Sequence, residues 1–147
     1  TAKQSLTDSV SDYYTVDGEL QSVPFNSSNP VLCINRDQFE AAGLDPDNPP
    51  ETFAEVREAS RQLVNAGAAD YGITFANYSW FVEQWFAEAG QELVNEQNGR
   101  GGVPDEAYLD SKFGHEFFSW WTDMEADGLY HNSGIKARGT VRRGFRP

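Results

Sequence analysis

The feature that constrains this chain most is Asp17-Gly18, set between Tyr14-Thr15-Val16 and Glu19-Leu20-Gln21-Ser22-Val23. A two-residue type I′ turn needs positive φ at both centre positions, which Asp-Gly tolerates, so the run predicts a tight β-hairpin. Pro24 cannot donate to a ladder and ends the second strand. Asn26-Ser27-Ser28-Asn29, bounded by Pro24 and Pro30, then reads as a polar crossing loop of small hydrogen-bonding residues. Val31-Leu32-Cys33-Ile34 is an apolar run of strand length, and Asn35 is placed to cap a short helix over 36–42 that Gly43 closes. The predicted order is hairpin, crossing, strand, helix.

The stretch from Asp17 to Pro50 resembles the extracellular solute-binding proteins of ABC importers, in the branch similar to glycerol-3-phosphate- and oligosaccharide-binding proteins. The residues that carry the likeness are Asp17-Gly18, Pro24-Phe25-Asn26-Ser27-Ser28, Pro30-Val31-Leu32, Asn35 and Ala42-Gly43-Leu44-Asp45-Pro46. Cys33-Ile34 stands where two aromatics are common. A looser likeness continues to Ile135 through Tyr108-Leu109-Asp110-Ser111 and Asp127-Gly128-Leu129-Tyr130. The resemblance implies an α/β, periplasmic-binding-protein-like fold of type II, with this chain a fragment covering the hinge crossing and part of one lobe. It divides the chain into the end of a first lobe with its hairpin (1–24), a partial second lobe (25–135) and a basic atypical tail (136–147). It further implies an extracytoplasmic protein that captures a sugar, polyol or glycerol-phosphate-type solute in an interlobe cleft and delivers it to ABC permease subunits. Any membrane contact would run through a lipid anchor lying outside this chain, and no cofactor is expected.

Charge narrows the partners. The chain holds 23 acidic and 11 basic side chains, a formal net charge of −12. Five of the basic residues, Lys136, Arg138, Arg142, Arg143 and Arg146, lie in the last twelve positions, which leaves residues 1–135 at −17. Such a body repels nucleic acid and anionic membranes. It suits a protein kept hydrated in concentrated salt, and equally an ordinary acidic secreted protein. The Arg/Gly tail alone could hold RNA or phosphate; a truncated or frame-shifted terminus is the other reading of its departure from the family pattern. Cys33, the single cysteine, excludes an intramolecular disulfide and reads as a small buried strand residue.

Residues 1–12 read as the end of a helix or a loop. Thr52-Phe53-Ala54-Glu55 is a capping box that opens a helix, with Phe53, Val56, Ser60, Leu63 and Val64 on one face and Gly67 as its stop. Tyr71-Gly72-Ile73-Thr74-Phe75 is strand-like and sits between helices, as in a βαβ unit. Asn77 or Ser79 caps the next helix, from about Trp80 to Ala89. Its rings at 78, 80, 81, 85 and 86 are too many for one buried stripe, so some should line a cleft. Residues 91–104 form an exposed loop in which Gly99-Arg100-Gly101-Gly102 lacks the strand, spacing and Lys-Ser/Thr of a phosphate-binding loop. A last helix over 111–127 presents Phe113, Phe117, Trp120, Trp121 and Met124 as a core face.

No catalytic or metal constellation emerges. His115, read in a helix, and His131, read in the loop after it, have no partner at ligand spacing, and no Gly-x-Ser-x-Gly elbow surrounds Ser27-Ser28. Glu83 and Glu88 are the carboxylate pair that an alternative reading, an extracellular glycoside hydrolase, would use; a truncated product without activity is a third. Solute binding needs a flat ring and small polar groups around it. Asn26, Ser27 and Ser28 supply the polar groups, against the reading that they only make a turn. Tyr78 and Trp80 supply the platform at a helix start, against the reading that Trp80 only packs a core. The resemblance singles out Ser28 and Trp80 as cleft residues; it has a Trp where Asn77 stands, so Tyr78 becomes the second stacking partner. Arg36 is the nearest basic residue and lies on another helix, which favours a neutral solute over a phosphate ester.

Overall fold

The computed structural model describes residues 6–135, and the hairpin takes the form its turn demands. The basic tail lies outside the described residues. β1 (Thr15–Val16) pairs antiparallel with β2 (Glu19–Leu20) across Asp17 and Gly18, whose φ values of 52° and 78° are both positive. Before it, α1 (Asp8–Tyr13) is tied to the strand by the Thr15 hydroxyl, which donates to the Ser11 carbonyl at 2.7 Å. Helix, hairpin and crossing, together with 92–108, make one compact unit.

Residues 92–108 are exposed at most positions, as their Asn and Gly content predicts, yet they are cross-braced. α5 (Asn95–Gly99) is a single turn in which Glu96, Gln97 and Asn98 all adopt left-handed φ of 56–57°. That conformation costs an L-residue about 1–2 kcal/mol, and two asparagines offset the cost locally. Asn98 Oδ1 accepts the Leu93 and Val94 N–H groups at 2.8 and 3.3 Å. Asn95 Oδ1 accepts from Asp105 and Glu106 at 3.0 and 3.1 Å, while its Nδ2 donates to Asp105 Oδ1 at 2.7 Å.

The second unit comprises 32–91 with 109–135 among the described residues. α2 (Arg36–Ala41) starts at Asn35, whose side chain accepts the Gln38 N–H at 3.2 Å. α3 (Phe53–Asn65) opens on the complete capping box: Thr52 Oγ1 accepts the Glu55 N–H, and Glu55 accepts the Thr52 N–H. The Glu51 N–H, then Thr52, hold the Glu55 carboxyl below its ordinary range. Its buried face carries Ala59, Ser60 and Leu63. β3 (Ile73–Asn77) pairs in parallel with β4 (Tyr130–Ile135), in register Ile73 with Tyr130 and Phe75 with Asn132. Between them the chain passes through α4 (Ser79–Glu88), the other unit's loop and α6 (Lys112–Ala126). Parallel pairing requires such a crossover.

Three expectations are corrected here. Val31-Leu32-Cys33-Ile34 forms no strand: Val31 and Leu32 are 80% and 50% exposed, and Cys33 is exposed rather than buried. An apolar run becomes a strand only where a neighbour takes up its N–H and C=O groups, and no described strand pairs with this one. The strand read at 71–75 lies two residues later, because Gly72 and Ile73 both donate to the Leu129 carbonyl and fix where the ladder begins. His131, read as a loop residue, lies on β4, which is polar enough to hide its pairing from any hydrophobic pattern.

Phe75, Met124, Leu129 and Tyr130 form the centre of this unit's core, with Val64, Ile73, Trp85, Trp120 and Trp121 packed around them. Trp120 satisfies its indole N–H on the Phe53 carbonyl at 2.9 Å. The Tyr130 hydroxyl lies 2.9 Å from both the Phe75 carbonyl and Asn77 Oδ1, donating to one of them at a time. Burial pushes its pKa up from the ordinary phenol value to about 12. A raised pKa means the unfolded chain loses this proton first, so the stabilisation is complete below about pH 10 and is lost as pH rises towards 12. Alkaline urea melts are therefore expected to show a steeper loss of stability in this window for the native chain than for Tyr130→Phe. The same variant should lose about 1 kcal/mol at neutral pH for the missing hydrogen bond. Identical alkaline slopes for both chains would contradict the buried phenol.

Candidate functional site

The crossing from Pro24 to Pro30 has no regular structure, and the polar side chains at its centre are open. Asn26, Ser27 and Ser28 are exposed and make no side-chain hydrogen bond to another described residue. Neither serine closes a turn onto the backbone, so their hydroxyls keep their donors and acceptors for water or a ligand. Phe25 beside them is fully exposed.

Tyr78 and Trp80 belong to the other unit, at the start of α4. The expected caps do not form. Tyr78 itself holds the N-cap position, with φ −146° and ψ 129°, and no side chain caps the helix. Asn77 is committed elsewhere: Nδ2 donates to Asn132 Oδ1 at 3.1 Å, and Oδ1 faces the Tyr130 hydroxyl. Ser79 is already the first helical residue. The helix is long enough, at 10 residues, for its first N–H groups to present a partial positive charge.

The α4 aromatics divide as the crowding argument requires. Phe86 is fully buried, and Trp85 packs on Phe75 and Phe117 at 4.9 and 5.3 Å between centroids. Phe81 stacks on Trp85 at 5.5 Å. Trp80 is the outer member of this series. It is half-buried and meets Phe81 edge-on at 5.3 Å, which leaves part of the indole accessible. The broad face of α6, by contrast, is core: Phe117 and Met124 are 2% and 0% exposed.

The residues considered for catalysis do not converge. Glu83 and Glu88 are exposed on α4 and, five positions apart, project about 140° from each other around the helix. His115 is exposed on α6, and His131 packs its ring 4.9 Å from that of Tyr71. Among the described residues no group of three or more His, Cys, Asp or Glu side chains is placed to hold a metal ion, and no helix is long and apolar enough to cross a membrane. Arg36, the nearest basic residue by sequence, is committed to Asp47 at 2.8 Å, which raises its pKa first through that hydrogen bond. One arrangement had no signature in the sequence: Arg100 and Tyr13, 87 positions apart, meet within the first unit.

Comparison with known proteins places this geometry in context. A family model described as bacterial extracellular solute-binding protein matches residues 2–137. The sn-glycerol-3-phosphate-binding periplasmic protein of Rhizobium meliloti is 35% identical over 132 residues, covering 89% of this chain and 31% of that protein. Its counterpart in Agrobacterium fabrum is 35% identical over 126 residues, covering 85% of this chain and 29% of that protein. That of Yersinia enterocolitica is 34% identical over 136 residues, covering 90% and 31%. The chain thus spans about a third of the length of these curated relatives.

Proposed function

The chain belongs to the bacterial extracellular solute-binding proteins, and from that membership we propose that it is part of the solute-capturing component of an ABC importer. The observation that carries this reading is the likeness across almost the whole chain to proteins named for binding glycerol-3-phosphate in the periplasm. The ligand class is a small polyhydroxylated solute: a sugar, a polyol or a glycerol phosphate. The place of work is outside the cytoplasmic membrane, with a lipid anchor as one means of retention there. Asn26, Ser27 and Ser28 grip hydroxyl edges, Ser28 foremost. Trp80, with Tyr78 as second ring, meets the C–H face of the solute.

The mechanism is closure about a hinge. The proline-bounded crossing is part of that hinge, the residues before it end one lobe, and those after it, 92–108 apart, belong to the other. Ligand contacts from both lobes favour the closed form by the difference between its affinities for closed and open states, and the closed form engages the permease. The open polar side chains at 26–28 and the outer position of Trp80 support these roles.

Titration calorimetry of the chain against glycerol-3-phosphate, glycerol and a set of mono- and disaccharides tests the proposal. One ligand class is expected to bind saturably. Ser28→Ala should weaken it about 3- to 10-fold, the value of one hydrogen bond, and Trp80→Ala about 30-fold, as for an anchoring aromatic. Binding that both variants leave untouched would move the site elsewhere. No binding by any member of the panel, with near-ultraviolet dichroism showing a packed aromatic core, would remove the solute class itself.

A further inference from the structure

A cavity of ≈ 260 Å³ opens within the first unit, between the hairpin turn and the glycine-rich loop, lined by Val16, Asp17 and residues 99–103. At about 30 Å³ per liquid water it has room for roughly nine waters, or an organic ligand of about that many non-hydrogen atoms. Its charged groups are opposed and uncommitted. Of the five basic side chains among the described residues, Arg36, Arg57, Arg61 and Lys112 are ion-paired with carboxylates, and Arg100 is not. Instead, its guanidinium lies 4.3 Å from the centre of the Tyr13 ring, and Nη2 donates to the Tyr13 carbonyl at 3.1 Å. A guanidinium has five donors, so Tyr13 fixes its position while leaving most of them open. Asp17 lines the same cavity without forming an ion pair to Arg100. A second carboxylate stands close: Glu96 Oε2 would lie 3.2 Å from a Cβ built on Gly102. The backbone N–H groups of Gly102 and Val103 have no acceptor among the described residues.

We propose that this cavity binds a small zwitterion, a ligand carrying a carboxylate and an ammonium on one short skeleton, such as glycine or alanine. A lone anion would face Asp17, and a lone cation would face Arg100; a ligand with both charges meets each of them with the opposite sign. Its carboxylate takes the open donors of Arg100 and the Val103 N–H, because Glu96 Oε2 stands beside Gly102. Its ammonium lies towards Asp17, and Val16 and Val103 flank the carbon skeleton. The site is distinct from the solute site proposed above, since it shares none of Asn26, Ser27, Ser28, Tyr78 and Trp80.

The test is an NMR titration of the 147-residue chain, following Arg100 Nε–H and the Gly102 amide. Glycine and alanine are the ligands; acetate, methylammonium and glycerol are probes carrying one feature each. Saturable shifts are expected with glycine and alanine, at affinities at least tenfold above those of the three probes. Asp17→Asn removes the charge and keeps the turn, because Asn also adopts left-handed φ; it should weaken glycine at least fivefold. Arg100→Gln should abolish binding and Arg100→Lys restore part of it, while Trp80→Ala leaves it unchanged. Acetate or glycerol binding as tightly as glycine, an Asp17→Asn variant with native affinity, or no saturable shift at all would each overturn the assignment.

Discussion

Phe117→Ala is expected to destabilise the chain by about 3–5 kcal/mol, the range for truncating a buried phenylalanine. The residue is 2% exposed in the middle of α6 and touches rings from every side. Phe118 and Trp85 lie 5.0 and 5.3 Å away, Phe53 and Trp121 5.8 and 5.9 Å, and Phe86 and Phe113 6.3 Å. Flat rings held at mixed angles cannot slide to refill the space as aliphatic chains do, so the cavity term adds to the lost transfer energy. Each well-oriented aromatic pair contributes about 0.5–1.5 kcal/mol beyond its buried area, and several are lost together. A small domain has a net stability of roughly 5–15 kcal/mol, so a large part of it goes with one side chain. Urea melts followed by near-ultraviolet dichroism, which reports these rings, measure the effect against Phe118→Ala. Phe118 is the neighbouring ring at the surface, 37% exposed, and its truncation should cost less than half as much. Equal losses for the two variants would mean that α6 does not bury the face described.

That face was legible in the sequence because helical periodicity is local: Phe117, Trp121 and Met124 repeat at the spacing that buries them. The hairpin, the Asn35 cap and the Thr52–Glu55 box were legible for the same reason, each being settled within four residues. What the sequence hid is pairing at a distance. β4 contains His131, Asn132, Ser133 and Gly134, and only its ladder with β3, more than fifty residues earlier, makes it a strand. The converse error at Val31–Ile34 has the same origin, since apolar composition supplies no partner.

The candidate site divides along the same line. The crowding of rings on α4 led to the expectation that some line a cleft, and Trp80 is the half-buried ring at the outer end of the Phe81–Trp85 stack. Asn77 looked like a cap because its local sequence suits one, but its amide is drawn off by Asn132 and Tyr130 on β4. Arg100 looked like one cation in a glycine-rich loop. Its position over Tyr13 depends on a turn of left-handed backbone that three non-glycine residues adopt, and no residue pattern announces that.

Gly114→Ala is expected to destabilise the chain by about 1–3 kcal/mol, against the sign that helix propensity alone gives. Alanine is favoured over glycine inside a helix by roughly 1 kcal/mol, and Gly114 sits in the first turn of α6 with a helical neighbour on each side. But the residue is buried, and a Cβ there would fall on the Leu109 carbonyl, a backbone group with no rotamer to retreat into. Relief requires the start of α6 or the 109–111 backbone to move. Such overpacking costs about 1–3 kcal/mol. The same movement strains the cap, because the Gly114 N–H donates to Ser111 Oγ at 3.2 Å, and a cap of this kind contributes about 1 kcal/mol. Clash and cap together outweigh the propensity gain. Ser111→Ala separates the contributions: it removes the cap without adding volume and should cost about 1 kcal/mol. The double variant should cost less than the sum of the singles, because the cap is already weakened in Gly114→Ala. A rise in stability for Gly114→Ala would show that Leu109 does not approach the helix so closely. The start of α6, and with it the Phe113 ring set against Phe86 at 4.9 Å, would then be placed differently.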